Sequence, residues 1–186
     1  MKFNHLLRIL LMASFIFNCS DSVAQQNNKN STRFSVIDVI SSNTKNNTLQ
    51  LLSRFQLSLS STAYEAIDHG VPIDIVIEYA KPLDRLWGTQ YKELDKSLFR
   101  LTRHTLSNNY LLENISAVET NQFITIDEAL KHIATFQINQ IRLNDSQQIA
   151  IRIYLDIFKL PAQIRASAFF SGRWKHDSDW TIWDVS

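Results

Sequence analysis

The sequence predicts an α+β fold of mainly antiparallel β-sheet, compatible with a two-layer sandwich and carrying two short helices. Two stretches alternate cleanly. Val71, Ile73, Ile75, Ile77 and Tyr79 are interleaved with Asp74 and Glu78, and Ile149, Ile151, Ile153, Leu155 and Ile157 with Arg152 and Asp156. A period of two with one polar face suits antiparallel strands, since parallel strands are usually apolar on both faces. Two Thr-x-x-Glu capping boxes interrupt the strands, at Thr62–Glu65 and Thr125–Glu128. Only three glycines and three prolines occur in 186 residues, which leaves no material for a linker between domains.

In chain order, MKFNHLLR, the apolar ILLMASFIF and the small residues Ser22 and Ala24 have the layout of a secretory signal peptide. Residues 1–24 are read as that peptide, with cleavage after Ala24. The apolar run is too short to cross a bilayer core, which needs about 20 residues, so a permanent transmembrane anchor is not expected. Cys19 offers an alternative, lipid attachment as a lipoprotein, but Asn18 stands before it where a small residue belongs. Export to the periplasm is the expectation. The polar QQNNKNST, residues 25–32, reads as a flexible lead into a single α+β domain over 33–186.

Within that domain RFSVIDVI pairs as a hairpin with the strand carrying Leu49, Leu51, Phe55, Leu57 and Leu59, across the polar SSNTKNN. A helix follows with Thr62 as N-cap and His69-Gly70 as its stop. Next come the Val71 strand and two strands, SLFRLTRHTL and NNYLLENI, around a turn at Ser107-Asn108-Asn109. The second helix, TIDEALKHIATF, presents Ile126, Ala129, Leu130 and Ile133 as one apolar stripe. After the Ile149 strand, Pro161 reads either as a bend between two strands, the favoured reading, or as forcing an edge position that leaves Gln163 and Arg165 on an edge strand. The closing RWKHDSDWTIWDVS reads as a polar turn and a last strand. Trp180 and Trp183 are assigned to packing and Trp174, beside Gly172 and Arg173, to the surface.

Composition excludes several functions. Removing residues 1–24 takes away Lys2, Arg8 and Asp21, which leaves acidic and basic residues equal in number. Such a chain has no electrostatic footprint for nucleic acid. The cut also removes the only cysteine, so neither disulfides nor a cysteine zinc site is expected. No metal is assigned to His176, Asp177 and Asp179, because His69, His104 and His132 fall in separate elements. No cofactor is assigned, since glycine-rich phosphate loops are absent. No catalytic residue is assigned either, since the chain lacks a Gly-x-Ser-x-Gly elbow. Asn30, Asn46 and Asn114 head Asn-x-Ser/Thr triplets of the kind an Asn-rich chain produces by chance.

Several segments together resemble an uncharacterised bacterial exported family, the domain of unknown function 4390. They are Gly70-Val71-Pro72, Asp84-Arg85-Leu86-Trp87, RLTRHTLSNNYLL, TIDEAL, YLDIFKLPAQIRASAF and the closing tryptophans. The resemblance spans nearly all of the chain from about Phe34 onward. It implies an exported cell-envelope protein and names no active site; where family members carry a denser Trp/Tyr cluster, this chain has Arg85, Trp87 and Tyr91.

The leading functional expectation is a non-catalytic binding or interaction module with an unknown envelope protein or ligand as partner. A hydrolase of envelope carbohydrate or peptide, built on carboxylates such as Asp84, Glu93 or Asp156, is the first alternative. A structural accessory subunit of an envelope complex is the second. Partner-binding residues are assigned to an Asp84–Tyr91 loop (Arg85, Trp87, Tyr91) and to the segment after Pro161 (Gln163, Arg165), because Arg and Trp are enriched at binding hot spots. The competing assignment has Trp87 covering the end of the core and Arg85 solvated.

Overall fold

The structure, a computed structural model, describes residues 34–44, 48–142 and 148–185. The chain divides into two units, Met1–Ser31 and Thr32–Ser186, and all described residues belong to the second. The expected signal peptide and cleavage site, Cys19, residues 25–32, Asn30 and Asn46 lie outside the described residues.

Among the described residues, two antiparallel sheets and three helices make an α+β fold. Strands β1 (Ser35–Thr44) and β2 (Thr48–Gln56) form a hairpin, and β7 (Thr135–Arg142) adds to β2 in the order β1-β2-β7. The second sheet runs β6-β5-β4-β3-β8-β9, from β3 (Ile73–Arg85), β4 (Gly88–His104), β5 (Asn109–Asn114), β6 (Glu119–Phe123), β8 (Gln148–Leu155) and β9 (Thr181–Asp184). The two long alternating stretches are therefore neighbours at the sheet's centre, with Ile77 opposite Ile153 and Glu78 opposite Arg152. The β4–β5 turn places Asn108 at φ 60°, which Asn tolerates better than most side chains.

A single core fills the space between the sheets. Ile73, Ile75, Ile77, Ile151, Ile153 and Leu155 share it with Leu130 and Ile133, as the alternation and the helical stripe predict. The smaller sheet contributes Leu49, Leu51 and Phe55. Ser53 on β2 and Tyr79 on β3 place their buried hydroxyls 3.1 Å apart, and Phe99 meets the edge of Phe136 at 5.1 Å. Burial raises the Tyr79 hydroxyl well above its ordinary pKa, so it stays neutral.

Helix α1 (Ser61–Asp68) stops where the sequence predicts, in a Schellman arrangement: Val71 N–H donates to Ala66 O and Gly70 N–H to Ile67 O, with Gly70 at φ +81°. Its start differs. Ser60, not Thr62, is the N-cap and accepts from Ala63 N–H, because Ser60 is also held by Arg173 O and His176. Helix α2 (Ile126–Ala134) begins on the Thr125–Glu128 capping box, both reciprocal bonds made, and buries its whole apolar stripe. The helices are linked by Tyr64, whose hydroxyl donates to Asp127 at 2.5 Å; burial, then that bond, pushes it up to about 12.

The third helix was not expected. Residues Ala162–Phe170 form α3, so Gln163 and Arg165 lie on a helix rather than an edge strand. Pro161 is its N-cap, where the missing N–H costs nothing, and Ala, Gln and Arg are good helix formers. Strand β8 also ends earlier than the alternation suggests. Asp156 accepts from Phe158 N–H at 3.0 Å and turns Ile157–Lys159 into a 3₁₀ helix. A second 3₁₀ turn, Gly172–Trp174, buries Trp174 to 4% exposure, correcting its assignment to the surface.

Candidate functional site: a projecting hairpin and an adjoining cavity

The presumed Asp84–Tyr91 loop is instead the outer half of the β3–β4 hairpin, paired in register from Pro82–Tyr91 to Arg85–Gly88. Pro82 is tolerated inside β3 because it falls beyond Ala80, the last residue of β3 paired to β8. Leu86 and Trp87 form the tip, with the left-handed step at Gly88, φ +115°. A glycine in that position closes many hairpins, and no neighbour lies close to where a Cβ would stand, so the backbone angle is what demands it. Leu86 is 98% exposed and Trp87 97%. Trp87 does not cover the core.

Tyr91, further down β4, begins a ladder of flat groups. It stacks on Trp180 at 4.6 Å with the planes 13° apart. The Arg152 guanidinium lies 4.8 Å from the Trp180 ring and 4.5 Å from the Tyr154 ring, a cation held between two π faces. Trp180 stands just before β9 and is half-buried, so its packing partner is this ladder rather than the core.

Beneath the ladder sits Glu78. Its Oε1 accepts from Tyr154 Oη at 2.7 Å and Lys96 Nζ at 3.0 Å, and its Oε2 accepts from Arg152 Nη2 at 2.6 Å. Burial by itself would raise this carboxyl. The bonds from Tyr154, Lys96 and Arg152 and the Arg152 charge outweigh burial, and hold it below the usual carboxylate range. Asp74, four residues along β3, takes a two-pronged bond from Arg100 at 2.8 and 2.9 Å. The polar face of β3 is thus buried under its own counter-charges.

Arg152 and Tyr154 also form one wall of a cavity of about 800 Å³, between β8, the Ile157–Lys159 turn, α3 and the Gly172–Trp174 turn. Its apolar side comes from Phe158, Phe169, Ala168 and Trp174, and its polar side includes His176, Lys175, Asp156 and Asp177. His176 is 1% exposed. Its Nε2 accepts from Ser60 N–H at 2.9 Å, while Nδ1 has no hydrogen-bond partner. Burial lowers its pKa, only partly offset by its backbone bond with Trp174, so the ring is neutral.

The assigned partner residues fall in two places. Arg85, Trp87 and Tyr91 lie along the hairpin, Arg85 exposed at its tip; Gln163 and Arg165 lie on exposed turns of α3. Arg165 is committed locally, its Nε and Nη2 both donating to Leu160 O at 3.0 and 2.8 Å. Sequence reading missed Arg152, Tyr154, His176 and Trp180 as a group. Their types were visible, but their convergence depends on strand register. Among the described residues, no group of three or more His, Cys, Asp or Glu could hold a metal ion, and no helix is long and apolar enough to cross a membrane.

The family model for the domain of unknown function DUF4390 matches residues 33–184. The chain belongs to this family. Within this DUF4390 domain the match includes the hairpin, the ladder and every wall of the cavity. Neither the characterised proteins nor the solved structures compared with it contain a match.

Proposed function

We propose that this DUF4390 protein is an exported, periplasmic interaction module, non-catalytic, that grips an envelope protein with the tip of its β3–β4 hairpin. The observation that carries this reading is the pair of adjoining apolar side chains, Leu86 and Trp87, presented almost wholly to solvent at the apex of a two-stranded arm paired in register. An exposed Trp beside Arg85 has the composition of a binding hot spot, and burial of both tip residues in a partner would recover the apolar area now facing water. Export rests on the signal-peptide layout of residues 1–24. The hydrolase alternative draws no support from the geometry: Asp84 and Glu93 lie on the hairpin and Asp156 in the cavity wall, where it caps the 3₁₀ turn.

The test is crosslinking of the full chain in intact envelopes. Arg85→Ala with Trp87→Ala should abolish a specific crosslinked band and leave the melting temperature unchanged. A variant that keeps every band rules out the tip. Intact mass of the recovered protein separately decides between a soluble chain beginning at Gln25 and an acylated one beginning at Cys19.

A further inference from the structure

We infer that the β3–β4 arm binds a second copy of this chain, edge to edge along β4, in an antiparallel two-fold pair. The inference rests on the reading of the tip as a binding device and names what that device grips. Register decides which backbone groups are available. Arg85 and Gly88 pair across the loop of Leu86 and Trp87, so they exchange the first ladder bonds, and exchange recurs at Leu83–Gln90 and Lys81–Lys92. Thr89, Tyr91 and Glu93 alternate with those residues and turn their N–H and C=O away from β3. Pro82, opposite Tyr91, fits this phase, because no N–H is needed there toward β4. On the outer side, among the described residues, β4 has no strand partner before Phe99, where pairing with β5 begins. Ile115 N–H donates to Leu98 O, and Ser116 Oγ accepts from Leu98 N–H and donates to Lys96 O. The β5–β6 turn thus covers the edge as far as Lys96. Gly88 to Glu93 keep an open edge.

Donors and acceptors that alternate at strand spacing are matched by another extended backbone. The residues of this edge select a copy of itself. An antiparallel copy centred on Tyr91 sets Tyr91 against Tyr91, and sets Thr89 against Glu93 and Gln90 against Lys92 of the second copy. All three outward residues then pair, and no like charges meet. A slip toward the body of the domain sets Lys92 against Lys92, and a slip the other way leaves Glu93 facing the tip, beyond the strand. The centred register also covers exposed apolar side chains. It brings Leu86 and Trp87 of the second copy level with Lys96 and Asp95, beside the β5–β6 turn. Ile115 and Val118 stand on that turn, 41% and 92% exposed. Each tip therefore meets the other copy's turn. Such a contact is isologous, closes at two copies and leaves neither β4 edge open.

Sedimentation equilibrium of the full chain over a range of concentrations should show a monomer–dimer equilibrium. Trp87 is 97% exposed, so Trp87→Asp should leave melting unchanged yet weaken the dimer about ten-fold or more. Register is read with Gln90→Cys and Lys92→Cys together in a Cys19→Ser background. Oxidation should join position 90 of one copy to position 92 of the other, as mapped by peptide mass. That link, in a dimer that Trp87→Asp weakens, sustains the inference. A chain that is monomeric at every concentration overturns it, as does a dimer that Trp87→Asp leaves intact or that forms no such link. The tip reading is judged separately by the envelope crosslink. If the chain is monomeric and Arg85→Ala with Trp87→Ala still abolishes a band, the tip holds a different protein and only the self-pairing fails.

Discussion

The backbone N–H of Ser60 donates to Nε2 of His176 at 2.9 Å, joining residues 116 positions apart in the chain. This bond requires a neutral imidazole, and burial supplies it by lowering the pKa below the ordinary 6.5. Above pH 6.5 the ring is neutral whether the chain is folded or not, and it makes no pH-dependent contribution. Below 6.5 the unfolded chain takes up the proton first, so stability should fall with pH until the lower, folded value is passed. Glu78 adds a separate loss below its ordinary 4.5, where protonation removes its ionic contacts. Thermal melts between pH 7.5 and 5 should show the first decline, and His176→Asn should flatten it. An equal slope in the variant would show that His176 is not the source of the decline.

Tyr91 and Trp180 are expected to be energetically coupled. Stacked aromatic pairs contribute about 0.5–1.5 kcal/mol beyond area burial. A double-mutant cycle with Tyr91→Ala and Trp180→Ala, read by urea unfolding, should give a coupling of that size. Strict additivity would mean that the stack is held open by solvent.

Ile153 faces Ile77 across the centre of the larger sheet and is fully buried. Ile153→Ala should destabilise by about 2–5 kcal/mol, lost transfer energy and cavity together. A loss below about 1 kcal/mol in urea melts would place this face outside the core.

Gly88 and Gly172 make a controlled pair, because neither has an atom near the position of an added Cβ. Gly88 sits at φ +115°, where an L side chain is strained. Gly88→Ala should cost about 1–2 kcal/mol, while Gly172→Ala should stay within about 0.5 kcal/mol. Equal effects in denaturant melts would show that the hairpin relaxes around its tip.

The elements written in the sequence are those whose signal is local. The Ile73–Tyr79 and Ile149–Leu155 alternation marks strands because side chains on a strand reverse face at every residue. The Thr125 capping box and the His69-Gly70 stop mark helix ends because donor and acceptor lie within a turn of each other. Tertiary structure decided what depends on partners far along the chain. Ser60 prevailed over Thr62 as N-cap because Arg173 and His176 hold it. Asp74 and Glu78, which alternation placed on a polar face, are buried because β4 and β8 bring Arg100, Lys96 and Arg152 over them. The same registry, together with the chain's return after β8, places Tyr91, Trp180, Arg152 and Tyr154 in one ladder and aligns a cavity beside it. A period of two says which face a residue takes on its own strand. Which residue will face it from another strand is set by register and strand order, and these come from packing the whole core at once.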